Sequence, residues 1–508
     1  MLMRNTWRSR AFFSRSVLWS SAAILVYLAL IKLVAHLLTN GQYGYHRDEL
    51  AYLDDARRLD WGFVDHPPFA PAVAHIALAL FGPSLAGLRL FPTLASVGVV
   101  ILTGLMAREL GGGRFAQGLA ALCSLVATLY LISGTLFQTL SFDQLIWIAA
   151  TYLFIRLLKT NNPRLWLAIG AVLGLGLQTK LTIVFYAVGL VAATLLSPAR
   201  KHLLTPWPWL GALLALVIFL PHIIWQVNHN WISLTYLRAI NTRDTAIGRT
   251  ATFLPDQLFL PNPVTLPVWV AGLIYLFSRP GRPFRPLAWL YLVTAALLFF
   301  MHGRSYYLGP MYAVLFAVGG VAVECALQGR PAWLKPALAA FVAVGGLVAA
   351  PVGLPIAPVN SPVWTVVNEI HDNFREMLGW EEMAASVANA YRGLPPEERA
   401  RTGIVAENYG EAGAINQYGP SLGLPHAVSA VNTYYYWGPG DPSNETYIVL
   451  GYTKSDLQNT CAEVQEVGAI TNRYGVQNEE SVRHPSIYIC RHPNPPLREL
   501  WPTMQHFG

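Results

Sequence analysis

Two short stretches concentrate the reactive side chains of this chain: Tyr45-His46-Arg47-Asp48-Glu49-Leu50 and Asp65-His66-Pro67-Pro68, just beyond the first long hydrophobic run. Asp48, Glu49, Asp54, Asp55, Asp60 and Asp65 stand here, interleaved with His46, Arg47 and His66, in a chain that is only 12% charged. Carboxylates held so closely repel one another unless cations or a substrate compensate, and one of them is then a candidate proton acceptor. The stretch from His46 to Gly62 has helical character, with Leu50, Leu53 and Leu59 on or near one face. A helix lying along a membrane surface would set Asp48 and Glu49 at its N-terminal end, where the dipole favours anions. A solvated interfacial helix with scattered charge is the alternative reading.

Three more points carry polar groups beside apolar runs. Asp143, in Phe142-Asp143-Gln144, is either a functional boundary carboxylate whose desolvation needs a partner or an N-cap with Ser141 nearby. Lys180, in Gln178-Thr179-Lys180-Leu181-Thr182, is a lone cation between two hydrophobic runs. A lipid phosphate would account for it, and so would snorkelling to the interface. Arg304 stands with His302, Tyr306 and Tyr307 in a second cationic, hydrogen-bonding group suited to bidentate phosphate binding. Anchoring in an aromatic belt is the alternative for the two tyrosines.

The elements that must position these groups are membrane spans. The 508 residues are 54% hydrophobic, with mean hydropathy +0.39. Runs of roughly 20 apolar residues, enough for about 30 Å of hydrocarbon, suggest about eleven transmembrane helices. They centre near residues 28, 97, 125, 150, 171, 189, 217, 270, 293, 317 and 343. Arg4, Arg8, Arg10 and Arg15 set the N-terminal segment, residues 1–16, on the cytoplasmic side. Alternate loops then carry Arg108 and Arg114; Arg156, Lys159 and Arg164; Arg200 and Lys201; Arg279, Arg282 and Arg285; and Arg330 and Lys335. The net charge of +7 thus reflects orientation in a bilayer, and nucleic acid is not an expected partner. The first run is too long for a signal peptide, lacks a small-residue cleavage site and is followed by more spans, so it reads as uncleaved. On this topology Asp48, Asp143, Lys180 and Arg304 all face the extracytoplasmic side, where loops 39–85 and 228–262 are long. Acidic groups in two turns and cationic groups in two others, all on one side, suit a reaction between a phosphate-bearing lipid and a nucleophile.

Residues 17–355 read as the transmembrane domain and 356–508 as an extracytoplasmic α/β domain. Strands are predicted at 402–406, 447–450 and 486–490, and helices at 380–393 and 455–466. Cys123 and Cys325 lie within apolar runs, whereas Cys461 and Cys490 fall in the outer domain, where disulfides persist, and form the candidate pair. No metal-spaced Cys or His cluster, P-loop, dinucleotide fingerprint or internal repeat is present. A divalent ion at the acidic loop is left open, and the Gly-rich turn Ala406–Ala414 reads either as an anion or sugar site or as a plain structural turn.

Taken in order, YHRDELAYL, DHPPFAP, SFDQLIW, QTKLT and GRSYYLGPMY resemble the GT-C membrane glycosyltransferases of family 39, which include protein O-mannosyltransferases and aminoarabinose transferases. The resemblance implies a polyprenyl-phosphate-linked sugar donor used at the extracytoplasmic face of the plasma membrane, and transfer to a glycan, lipid or protein with inversion. It implies that Asp48 is the acceptor-side base with Glu49 beside it, and that Asp143 is a second cavity acid. It also implies that Lys180 and Arg304, with His302 and Tyr307, face the donor phosphate. His46, Arg47, Asp65 and His66 form the supporting loop. Two departures stand out: His66 precedes the prolines where many relatives place Lys or Glu, and the C-terminal region lacks β-trefoil features. A transporter of a sugar-linked lipid, or a non-catalytic assembly factor, would use the same charges differently. Against transport, the chain lacks paired broken spans in two similar halves.

Overall fold

Lipid offers a backbone no hydrogen-bond partners, so the apolar runs fold as helices that satisfy their own amides. The computed structural model describes residues 20–508; Arg4, Arg8, Arg10 and Arg15, with all of residues 1–16, lie outside the described residues. Among the described residues six single helices are long and apolar enough to cross a membrane: Ser21–Thr39, Leu85–Glu109, Thr139–Thr160, Pro206–Asn228, Ser305–Ala326 and Leu334–Gly353. Three sharply bent pairs raise the number to nine: Arg114–Val126 with Thr128–Thr135, Ile183–Leu195 with Pro198–Leu204, and Phe253–Phe259 with Pro263–Phe277. Length and composition thus support six to nine of the expected eleven spans. All eleven run centres fall within helices, but those near 171 and 293 are only 13 and 15 residues long. Each stops early where polar turns, Gln178–Lys180 and His302–Arg304, interrupt the apolar sequence.

Small residues bring the helices together. A Cβ on Gly170 would lie 2.1 Å from the Gly211 carbonyl oxygen, so Leu165–Leu177 and Pro206–Asn228 pack backbone to backbone there. Leu38, Phe300, Leu347 and Val348 are exposed around the bundle, as expected of lipid-facing positions.

At one end of the bundle the chain builds a five-stranded sheet of order β2-β1-β3-β5-β4. The strands are β1 Thr402–Ala406, β2 Ala427–Val428, β3 Thr446–Leu450, β4 Cys461–Ala469 and β5 Ser486–Pro493. β1 runs parallel to β2 and β3, and β5 runs antiparallel to β3 and β4. Every residue of β1 and β3 is buried, as central strands covered on both faces must be. The helix predicted over 455–466 is corrected: it covers only Lys454–Gln458, and β4 begins at Cys461. Pairing with β5 and the Cys461–Cys490 disulfide, Cα atoms 5.6 Å apart, hold that segment extended.

The first loop contains two helices, Arg47–Arg57 and Phe69–Phe81, and residues 228–262 contain Ile232–Ala246 and Phe253–Phe259. Helix Arg47–Arg57 does not turn its apolar face to a membrane surface. Leu50, Leu53 and Ala56 share one core with Met383 and Val387 of helix Trp380–Arg392, Ala412 and Ile415 of helix Tyr409–Leu422, and Ile448 of β3. Burial of three apolar side chains outweighs an interfacial position, and Leu59, beyond the helix, stays exposed.

Candidate active site

Asp48 occupies the first turn of helix Arg47–Arg57, which a capping box fixes. The His46 imidazole accepts from the Asp48 amide (3.1 Å), and Glu49 accepts from the His46 amide (2.8 Å). Burial lowers the His46 pKa, keeping the ring neutral and able to accept. The Asp48 side chain is a third exposed. Gln138 donates to one of its oxygens (2.8 Å) and the Tyr409 hydroxyl to the other (3.0 Å). Burial, then the neighbouring Asp48 charge, raises the Tyr409 pKa and keeps it a donor. The Arg47 guanidinium lies 4.8 Å over the Tyr409 ring and pairs with Glu479 and Glu480. A carboxylate held by two donors, one from each side of the domain boundary, yet open to solvent, is oriented to take a proton.

Glu49, expected beside Asp48 in the chemistry, is corrected to an anchor. It is fully buried, and both oxygens receive the Arg89 guanidinium (2.9 and 2.7 Å). One of them also accepts from the Phe137 amide (2.9 Å). Arg89 is equally buried and donates further to the Asn40 and Gly44 carbonyls. This guanidinium was missed because it sits within a 25-residue apolar helix; a lone Arg in such a run was the available signal.

The Asp65–Pro68 segment joins the acidic half of the site to the cationic half. The His66 imidazole faces Asp55 (3.1 Å) and Asp65 (3.7 Å) and stacks on Tyr52, ring centroids 4.7 Å apart. Burial opposes charge on His66, but Asp65 and the bond to Asp55 outweigh it and raise the imidazole to about 9. Burial pushes Asp55 up as well; with two carboxylates facing one ring, a charged His66 is the direction the geometry supports. Three residues on, the Phe69 amide donates to the Gln178 carbonyl (2.9 Å), docking the Pro-Pro turn on the turn that bears Lys180.

The Lys180 ammonium is half-buried, 4.6 Å from the Tyr307 ring centroid and 5.4 Å from that of Tyr306. Among the described residues no carboxylate forms an ion pair with it, though Asp143 acts on it at longer range. Asp143 is buried, accepting from Trp147 (2.9 Å) and from Thr182 (3.1 Å), so it holds the 178–182 turn. Arg304 reaches the same tyrosines: its Nη1 donates to Tyr306 (3.3 Å) and its Nε to Asp244 (2.5 Å). Despite burial, Tyr306, Tyr307 and Asp244 hold its pKa above the ordinary value. Burial raises the Tyr236 pKa, with Asp65, Tyr409 and Tyr307 adding to it and Arg304 opposing it. His302 is not brought in. It takes a left-handed backbone (φ 52°) and its exposed ring makes no hydrogen bond among the described residues.

Asp244, Gln138 and Tyr409 are partners that carried no signal in the sequence. The Gly-rich turn after β1 is a packing device. Asn408 and Glu411 close their own capping box, and a Cβ on Gly413 would lie 2.9 Å from the Leu50 Cβ. Among the described residues no three His, Cys, Asp or Glu side chains are grouped to hold a metal ion.

Residues 65–225, which include the Pro-Pro turn, Asp143 and Lys180, match the dolichyl-phosphate-mannose-protein mannosyltransferase family. No curated protein matches the chain. The structure is similar to ArnT from Cupriavidus metallidurans bound to undecaprenyl phosphate, with TM-score 0.58 at 15% identity, over 94% of this chain and 98% of that one. Its apo state gives 0.56 at 17% identity with the same coverage. The arabinofuranosyltransferase AftD from Mycobacteria gives 0.52 at 13% identity, over 92% of this chain and 40% of that one. The family match thus falls on the stretch that bears the Pro-Pro turn, Asp143 and Lys180, and the fold is shared with ArnT over nearly the whole of both chains.

Proposed function

We propose that the protein transfers a sugar from a polyprenyl-phosphate-linked donor to a hydroxyl-bearing acceptor at the extracytoplasmic face of the plasma membrane. In this topology residues 1–16 are cytoplasmic, and residues 356–508 form an extracytoplasmic domain. The observation that carries the reading is the docking of the Pro-Pro turn on the Lys180 turn. It links the segment that follows the open, oriented carboxylate Asp48 to the turn that bears an ammonium with no carboxylate ion pair among the described residues.

The acceptor oxygen attacks the anomeric carbon as the bond from that carbon to the phosphate oxygen breaks. Asp48 takes the hydroxyl proton, and the departing lipid phosphate keeps the electron pair. Positive charge grows on the sugar and negative charge on the phosphate, where Lys180 and Arg304 stabilise it. Tyr306 and Tyr307 fix the ammonium, and Asp244 fixes the guanidinium. A single displacement inverts the anomeric centre. ArnT, solved with undecaprenyl phosphate, supports a polyprenyl phosphate as the leaving group here.

The test is Asp48→Asn, which keeps the size and shape of the side chain but removes the base. Transfer of labelled sugar from the lipid should fall by roughly 10²–10⁴-fold, with unchanged size-exclusion and melting behaviour. Undiminished transfer removes Asp48 from the mechanism. Movement of the sugar lipid across vesicles without covalent product would instead support the transport reading.

A further inference from the structure

At the far end of helix Arg47–Arg57 from Asp48, two adjoining cavities of about 270 and 340 Å³ form a groove. It runs between residues 58–63, the end of helix Pro206–Asn228 and the segment from Thr433 to Tyr447. Both cavities share Arg58 and Trp437, whose ring lies 4.4 Å beneath the guanidinium. Trp225, buried between His229, stacked on it at 3.9 Å, and Gly62, and tied to Asp60 by its indole N–H (2.7 Å), backs the second cavity. Tyr436, 41% exposed, meets His229 edge-on and stands at the rim. Asp441 and Asn444 line the deeper cavity.

None of these residues takes part in the transfer chemistry. We propose that the groove is a saccharide subsite for the acceptor, an assignment that rests on the glycosyl-transfer reading. Three observations select the ligand class. The exposed Tyr436 ring and the half-buried Trp437 offer C–H contact to a sugar ring, while carboxylate and amide groups accept and donate to its hydroxyls. The two carboxylates, Asp60 and Asp441, disfavour a phosphate headgroup, and Arg58, the cation on hand, is turned onto Trp437. The same carboxylates disfavour an acyl chain. Finally, ten residues of helix separate Asp48 from Arg58, ~15 Å at 1.5 Å each, the reach of a short oligosaccharide. The acceptor is thus a glycan chain whose reacting end lies at Asp48 and whose preceding sugars rest against Trp437 and Tyr436.

The full-length protein in lipid nanodiscs, applied to an array of defined short oligosaccharides, tests this. Saturable binding is expected. Trp437→Ala and Tyr436→Ala should each weaken it about tenfold, while Tyr436→Phe and Asp48→Asn retain it. Failure of the folded protein to bind any oligosaccharide, or undiminished binding by both alanine variants, overturns the subsite. Transfer measured on the same preparations separates the two readings. Saccharide binding without transfer by the wild type removes the transfer reading alone. Transfer with an unchanged KM for the glycan in Trp437→Ala removes the subsite alone.

Discussion

Replacing Glu49 by alanine should damage the fold and leave the chemistry of the remaining folded molecules nearly untouched. Glu49 and Arg89 are both fully buried, so the substitution leaves a guanidinium in the interior with only neutral acceptors, the Asn40, Gln42 and Gly44 carbonyls and the Met377 sulfur. Breaking a buried pair from one side costs about 3–5 kcal/mol. The Phe137 amide loses its acceptor too, an unsatisfied donor worth about 1–3 kcal/mol. Against a typical stability of about 5–15 kcal/mol, the loss is large, and it falls where helix Arg47–Arg57, helix Leu85–Glu109 and the Phe137 turn meet. Glu49→Leu combined with Arg89→Leu should recover most of it, because the buried charge goes with its partner. Recovery stays incomplete, since three carbonyls lose a donor and the Phe137 and His46 amides lose their acceptor. Thermal unfolding in nanodiscs, followed by scanning fluorimetry, and the transfer rate per folded molecule are the paired readouts. An alanine variant that melts like the wild type while its transfer rate collapses refutes this reasoning and returns Glu49 to the chemical step.

Lys180→Ala should lower the transfer rate by about 10²–10³-fold, the usual effect of losing one charge-stabilising donor, measured with saturating donor lipid; a rate within a few-fold of wild type argues against its phosphate role. The His66 pKa is raised to about 9, so its stabilising contribution is complete below about 6.5 and is lost as pH rises through 9. The melting difference between wild type and His66→Gln should therefore shrink between pH 7 and 10, and a constant difference would count against the charged pair. Cys461→Ser opens a bridge spanning 29 residues, which chain entropy values at about 3–4 kcal/mol. Differential scanning calorimetry should show a destabilised α/β unit, also seen on reduction of the wild type.

Much of the helical architecture was legible because lipid imposes one rule on every span. Each of the eleven apolar runs is a helix. Their lengths were harder to read, since short turns such as Gln178–Lys180 end a helix without lowering hydropathy much. In the α/β region, β1 and β3 announced themselves as short apolar runs. β4 did not: eight of its nine residues lie outside the core, and its extended form depends on β5 and a disulfide far along the chain.

Residue type and membrane side, both local properties, were enough to single out Asp48, Lys180 and Arg304, because an uncompensated charge at a bilayer edge is costly wherever the chain goes next. The partition of roles among neighbours was not local. Asp48 and Glu49 are adjacent carboxylates on one helix turn, yet Glu49 points to a buried Arg89 and Asp48 toward Gln138 and Tyr409. Tyr409 lies 361 residues away, and no pattern near Asp48 foretells it. The sequence by itself determined a membrane-embedded helical protein with charged groups beside its apolar runs. Only the tertiary structure decided which carboxylate stays open, because that depends on which helices bury the other.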